Sequence, residues 1–407
     1  MASILFFSLL LYICILSLAA AQSKTKHVSN ELLNSLEELS RIVDISYCVG
    51  TTGVHQPFEC LSRCIEFPDL ELVTTWNTGL LLSDSCGYIA LSHAPSTKQI
   101  ILAFRGTYSI TNTIIDLSAY PQAYIPYPDP EENTTTSTRT GPHCESCAVH
   151  AGFMRSWLET RSTILPQISI LRQKYPDYAI TLVGHSLGGA VAALAGLEMR
   201  LKGWDATVTT FGEPMIGNGA FVAFLDEQFG LGDGVSIPPL DHPLEGGMRF
   251  RRVTHVGDPV PMLPLAEWGY RPHAGEVFIK REELPPRRED VLHCLGAEDP
   301  GCIAGEGREG VLVELYRDLN VPVGLAGPGE GCRSSGGVDR GAGDVAREQG
   351  VLGRESSDLA DCEDRLSPLR WDWSLIPARY RLWELFYAHR DYFWRIGLCV
   401  PGGDPTG

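Results

Sequence analysis

Beyond Ser29 the apolar positions Leu32, Leu33, Leu36, Leu39 and Val43 recur at helical spacing. The pattern predicts an amphipathic helix to about Tyr47, with Ser29 as its N-cap. Short apolar runs then alternate with longer helical ones. Tyr88 to Leu91 and Ile100 to Phe104 read as strands, Phe153 to Arg172 as a helix, Ala179 to Val183 as a strand and Leu187 to Leu201 as a helix. Val208 to Phe211 follows as a strand, Ala220 to Gln228 as a helix, and Phe250 to His255 and Val277 to Ile279 as strands. Strands separated by helices of ten or more residues imply a mostly parallel sheet covered on both faces, so the predicted fold class is α/β.

Two stretches depart from this alternation. The first twenty-one residues carry no charged side chain, and the apolar run Ile4 to Leu18 ends in Ala19, Ala20 and Ala21, which reads as a signal peptide cleaved after Ala21. The alternative is an uncleaved anchor, although the run is short for a bilayer span. Residues 303–353 hold 13 glycines, one aromatic (Tyr316) and no Trp. Such a stretch cannot offset the entropy of ordering itself. It reads as a low-complexity insertion, or as translated non-coding sequence, within one domain spanning 22–407. Order is expected to resume at Trp371, Trp373 and Trp383 and in the aromatic-rich end from Phe386 to Trp394.

Composition narrows the function. With 33 Lys and Arg against 50 Asp and Glu, a net charge of -17, the chain would repel nucleic acid rather than bind it. Cleavage would remove Cys14 and leave eleven cysteines, which in an oxidising compartment should mostly pair. Cys144 and Cys147 form a C-x-x-C, but there is no second such pair and no H-E-x-x-H, which favours a structural disulfide over metal or redox chemistry. The spacing of Cys294 and Cys302 suggests another disulfide. Asn133-Thr134-Thr135 is a glycosylation sequon in the polar loop from Pro121 to Pro142. No stretch after the leader is long and apolar enough for a transmembrane helix, and no cofactor is implied.

The candidate chemistry centres on Gly184-His185-Ser186-Leu187-Gly188, a G-x-S-x-G with the strand run Ile180 to Val183 before it and the helix former Ala190 to Ala195 after it. A strand, a sharp turn and a helix are what a nucleophile elbow needs, because the turn projects the serine hydroxyl above the sheet. A serine needs a base, and the base an orienting carboxylate. Asp258 directly follows the predicted strand Phe250 to His255, although an Asp before Pro is equally suited to forming a turn. His273, His293 and His389 are the candidate bases beyond it. His389, near the end of the domain, fits best, but a His among aromatics is as readily structural.

Five motifs in one order carry a resemblance. They are Phe104-Arg105-Gly106-Thr107, Val149-His150-Ala151-Gly152-Phe153, Gly184 to Gly189, Gly257-Asp258-Pro259-Val260-Pro261 and His389-Arg390-Asp391-Tyr392-Phe393. From about Leu32 to Gly403, leaving out the Gly-rich segment, the chain resembles the class 3 lipase family of filamentous fungi. The resemblance implies an α/β-hydrolase fold, with Ser186 as nucleophile, Asp258 as orienting carboxylate and His389 as base. It implies an oxyanion hole from Thr107 and the backbone N–H of Leu187, and a lid from Tyr108 to Leu117 presenting Tyr108, Ile110, Ile114, Ile115 and Leu117. It also implies the disulfides Cys48 with Cys399, Cys60 with Cys64 and Cys144 with Cys147, leaving Cys86, Cys332 and Cys362 unassigned.

The expectation is a secreted serine ester hydrolase acting on acylglycerols at a lipid-water interface. The moderately apolar lid favours long-chain esters. A soluble-ester or feruloyl esterase on the same scaffold is the nearest alternative. A non-catalytic binding protein of the same fold is the alternative of another class. The 130 residues between Asp258 and His389 are a departure from the family's spacing and make His389 the member whose placement depends most on the fold.

Overall fold

A computed structural model describes residues 27–79, 85–107, 121–124, 144–231, 248–305 and 387–401. The leader, the lid stretch, Asn133, Cys332, Cys362 and nearly all of the Gly-rich segment lie outside the described residues. Eight strands form the central sheet: β1 (Leu70–Asn77), β2 (Cys86–Ser92), β3 (Gln99–Arg105), β4 (Ala179–His185), β5 (Ala206–Phe211), β6 (Phe250–His255), β7 (Glu276–Ile279) and β8 (Val291–His293), in the order β8-β7-β6-β5-β4-β3-β2-β1. The five strands from β3 to β7 run parallel. Antiparallel pairs close both edges, β1 and β2 on one side and β8 on the other. With helices on both faces, this is the α/β-hydrolase fold.

Each helix follows from its local sequence. In α1 (Asn30–Ile45) the Ser29 hydroxyl accepts the Leu32 N–H at 3.1 Å, a cap worth about 1 kcal/mol. Its buried stripe, Leu32, Leu36, Leu39 and Val43, packs on one face of the sheet together with Tyr392, Phe393 and Ile396 from the C-terminal segment. The helices α2 (Ala151–Lys174), α3 (Leu187–Leu201) and α4 (Gly219–Phe229) cover the other face. The helix α3 is buried almost all round, as its alanine-rich sequence permits. No described helix is long and apolar enough to cross a membrane.

The sequence pattern did not reveal β1, β8 or a small four-strand sheet built from Pro121–Ala123, Ala148–His150, Gly217–Asn218 and Tyr270–Arg271. The strands of that sheet and β8 are only two or three residues long, too short for a periodicity to register. Ile303, where the Gly-rich segment was expected to begin, is instead buried beside Phe278. Its N–H donates to Glu276 Oε1 at 3.2 Å.

Among the described residues there are four disulfides: Cys48 with Cys399, Cys60 with Cys64, Cys144 with Cys147 and Cys294 with Cys302. Cys86 is buried, with its Sγ donating to Asn77 Oδ1 at 3.0 Å. The Cys48 to Cys399 bridge links the end of the first helical segment to the last described residues across a sequence separation of 351. Beside it the buried Asp44 accepts the Gly397 N–H at 2.7 Å and the Ser62 hydroxyl at 3.1 Å. Even so, burial pushes the Asp44 carboxyl up to about 6. On β8 the His293 ring is buried with neither nitrogen hydrogen-bonded, and burial, with the nearby Arg251 charge, pushes it down to about 4.

Two stability predictions follow from these anchors. Replacing both Cys48 and Cys399 by Ser should lower the unfolding free energy by roughly 2–5 kcal/mol, read from the denaturant midpoint of the purified protein. For His293 the unfolded chain takes up a proton near pH 6.5 that the folded chain takes up only near pH 4. Stability from this group is therefore complete above about pH 6.5 and drains away as pH falls toward 4, on the order of 3 kcal/mol in all. Asp44 acts with the opposite sign, favouring the folded state as pH drops through about 6. The urea midpoint at pH 4, taken relative to that at pH 7, should thus be higher in His293→Gln than in the parent; an unchanged relative value would remove His293 as a source of acid sensitivity.

Candidate active site

The chain leaves β4 at His185, turns at Ser186 and enters α3 at Leu187. Ser186 sits at φ 57° and ψ -130°, one of two non-glycine residues with positive φ among those described. A residue held there costs about 1–3 kcal/mol, so the surrounding structure must enforce it. Part of the enforcement is the Ser186 N–H, which donates to the Phe211 carbonyl on β5 at 2.9 Å. Another part is close packing: a Cβ on Gly188 would lie 2.4 Å from the Phe104 carbonyl oxygen of β3. Only glycine lets α3 start this near the sheet.

The strand β6 ends at His255, and the turn through Val256 and Gly257 brings Asp258 to the same carboxyl end of the sheet as Ser186. Its carboxylate is fully buried and well supplied with donors. The Val260 N–H reaches Oδ1 at 2.9 Å, the Tyr392 hydroxyl reaches Oδ2 at 2.5 Å, and His389 Nδ1 lies 3.0 Å from both oxygens. Burial and the adjacent Asp258 charge hold the Tyr392 hydroxyl well above its ordinary pKa, so it remains a donor. With an ionised carboxylate at Nδ1, His389 carries its proton there and presents Nε2 as a lone pair. His389 Nε2 and Ser186 Oγ are both buried and both without a hydrogen bond.

The sequence candidates sort by place. Asp258 and His389 are hydrogen-bonded to each other, and His185, next to Ser186 in the chain, has its ring centroid 4.8 Å from that of His389. Thr107 is half-buried just past the end of β3. The preceding Gly106 is pressed against the elbow so closely that a Cβ there would lie 2.8 Å from Ser186 Cβ. Leu187 is the first residue of α3, where backbone N–H groups have no partner within the helix. His273 is not at this site, its nitrogens being engaged by Glu213 Oε1 at 2.9 Å and the Ala274 carbonyl at 2.7 Å. His293 is on the edge strand β8. The lid residues Tyr108, Ile110, Ile114, Ile115 and Leu117 lie outside the described residues.

Sequence reasoning did not single out Tyr392, Tyr47 or His185 as part of the site. The signal for His185 was its place inside the G-x-S-x-G. Tyr47 and Tyr392 meet the site only through tertiary packing. Elsewhere, Glu276, Cys294 and Cys302 lie close enough together to suggest a metal site. Both thiols are spent in a disulfide, and the carboxylate accepts from Arg252, Thr254 and Ile303, so that set is closed.

Known proteins resemble the chain at every level. A family model described as Lipase (class 3) matches residues 101–268. Lipase A of Sodiomyces alcalophilus is 49% identical over 403 residues, covering 95% of this chain and 86% of the relative. The secreted mono- and diacylglycerol lipase 2 of Gibberella zeae is 45% identical over 395 residues, covering 94% and 85%. Among solved structures, the nonglycosylated LIP2 lipase of Yarrowia lipolytica superposes with a TM-score of 0.60 at 34% identity, over 70% of this chain and 91% of that one.

Proposed function

The chain belongs to the fungal class 3 lipases, and from that footing we propose that it is a secreted acylglycerol lipase working through Ser186, His389 and Asp258. The observation that carries this reading is the buried Asp258 to His389 pair, which leaves His389 Nε2 and Ser186 Oγ as the two unpartnered groups of the site. In the first step Nε2 takes the proton of Ser186 as its oxygen bonds to the ester carbonyl carbon. The carbonyl oxygen becomes an oxyanion, which Thr107, just past β3, and the N–H of Leu187, at the start of α3, receive in this reading. Each such donor is worth roughly 3 kcal/mol in the transition state.

Asp258 stays ionised throughout and faces the imidazolium across both of its oxygens. The tetrahedral species collapses as His389 delivers its proton to the departing glycerol oxygen, leaving an acyl group on Ser186. Water, deprotonated by the same Nε2, then attacks the acyl carbon and frees the fatty acid. Export after cleavage behind Ala21 agrees with the four disulfides and with the relative named as secreted. That relative is named for mono- and diacylglycerols, which supports glycerol esters as the substrate class here. The net charge of -17 suits an uncharged droplet better than an anionic bilayer.

The test is hydrolysis of a short-chain triacylglycerol and of a diacylglycerol, below and above their solubility limits, by the purified protein. Ser186→Ala should lose roughly three or more decades of kcat, and Asp258→Asn about four, both remaining folded. A rise in rate once droplets form supports the lipase reading. A smooth dependence across the limit would make the protein a soluble-ester esterase. Parent and Ser186→Ala equally inactive on all esters would overturn the mechanism.

A further inference from the structure

His185 stands between the elbow and the base, and its two nitrogens have different neighbours. Nε2 lies 2.8 Å from the backbone carbonyl oxygen of His389, which can only accept, so Nε2 carries a proton. Nδ1 lies 2.6 Å from the Tyr47 hydroxyl. The ring is fully buried, and burial, followed by the charges of His389 and Arg390, holds its pKa far below the ordinary histidine value. A neutral ring protonated on Nε2 has a lone pair on Nδ1, so Tyr47 donates to it. The tyrosine is itself fully buried at the end of the first helical segment, next to Cys48 of the disulfide to Cys399. A Cβ on Gly106 would come within 2.5 Å of its hydroxyl, so the oxygen is wedged between the elbow and the oxyanion turn.

We propose that Tyr47 is a positioning residue for His389: its hydroxyl, donating to Nδ1, holds the His185 ring in place, and the Nε2–H of that ring holds the His389 carbonyl and hence the imidazole against Ser186. This rests on His389 being the base. Without the Tyr47 hydroxyl, the Nδ1 lone pair of His185 is buried with no donor, and the ring loses the contact that fixes its position. The Nε2 proton stays where the His389 carbonyl holds it, but the ring that carries it is no longer anchored to the first helical segment. The His389 backbone would then be tied to a ring free to shift, while Asp258 kept its hold on the imidazole. Binding of ester does not involve these atoms, so the cost falls on the chemical step.

The experiment combines ring nitrogen-15 NMR with kinetics on a dissolved ester. The parent should show His185 protonated on Nε2, with the nitrogen-15 shift of its unprotonated Nδ1 moved upfield by the Tyr47 hydrogen bond, and Tyr47→Phe should return that shift toward the free imine value with Nε2 still protonated. That variant should lose roughly 10- to 100-fold in kcat with KM within about twofold. In His185→Gln the side-chain amide donates to the His389 carbonyl and offers Tyr47 no ring nitrogen to hold, so adding Tyr47→Phe there should change kcat by less than about twofold. Three results would overturn the proposal: a parent His185 protonated on Nδ1, a Tyr47→Phe kcat within about twofold of the parent, or an equal loss in the His185→Gln background. If Tyr47→Phe does not fold, the parent Nδ1 shift decides: an upfield, hydrogen-bonded value supports the proposal and a free imine value overturns it. Failure of the underlying mechanism is separable, because it appears as activity surviving Ser186→Ala and leaves the tautomer unchanged.

Discussion

A carboxylate with no access to water is the constraint around which this molecule is arranged. Taking the Asp258 charge out of solvent costs several kcal/mol unless the protein returns the lost hydrogen bonds. It does so from two directions. Val260 supplies a backbone N–H two residues along, and the C-terminal segment supplies His389 and Tyr392. Two of the three partners therefore arrive from more than 130 residues away in sequence, and the last part of the chain has to be seated against the sheet for the charge to be tolerable. The group that orients the imidazole is also the group that organises the C-terminal part of the fold.

That seating is reinforced well away from the reacting atoms. Tyr392, Phe393 and Ile396 join the apolar layer beneath α1. The Gly397 N–H bonds the buried Asp44, Trp394 Nε1 donates to Glu37 at 3.1 Å, and Cys399 is bonded to Cys48. The helix α1 and the last described residues thus form one unit on the face of the sheet opposite α2, α3 and α4. Polar contacts buried in such a layer are worth more than exposed ones, and they fix one arrangement, because any other would leave Asp44 or Asp258 unpaired.

How much of this was legible beforehand depended on sequence distance. The strand, turn and helix around Ser186 could be read directly, since the apolar run of β4, the glycines and the alanine-rich α3 are contiguous. The helix α1 was readable to within two residues of its ends from its stripe and cap. The strand β1 was not, because its outward residues are threonines and a glutamate and its pairing partner sets its register. Three histidines remained open as partners for Asp258 when judged by residue type alone. Resemblance to a family singled out His389, and the geometry places it beside Asp258, with His273 and His293 elsewhere. Tyr47 gave no signal at all, since its meaning lies in a hydrogen bond to a residue 138 positions away.

The described chain stops at Gly305 and resumes at Tyr387, and both points are fastened. On the near side stand the Cys294 to Cys302 bridge and the Ile303 N–H on Glu276; on the far side stand the contacts of His389 through Cys399. Closing a loop between fixed ends costs only about 0.6 kcal/mol more for each doubling of its length. An architecture of this kind is largely indifferent to how many residues separate its carboxylate from its base. Over evolutionary time the stretch between those two points can be lengthened, shortened or replaced while the machinery on either side stays in register.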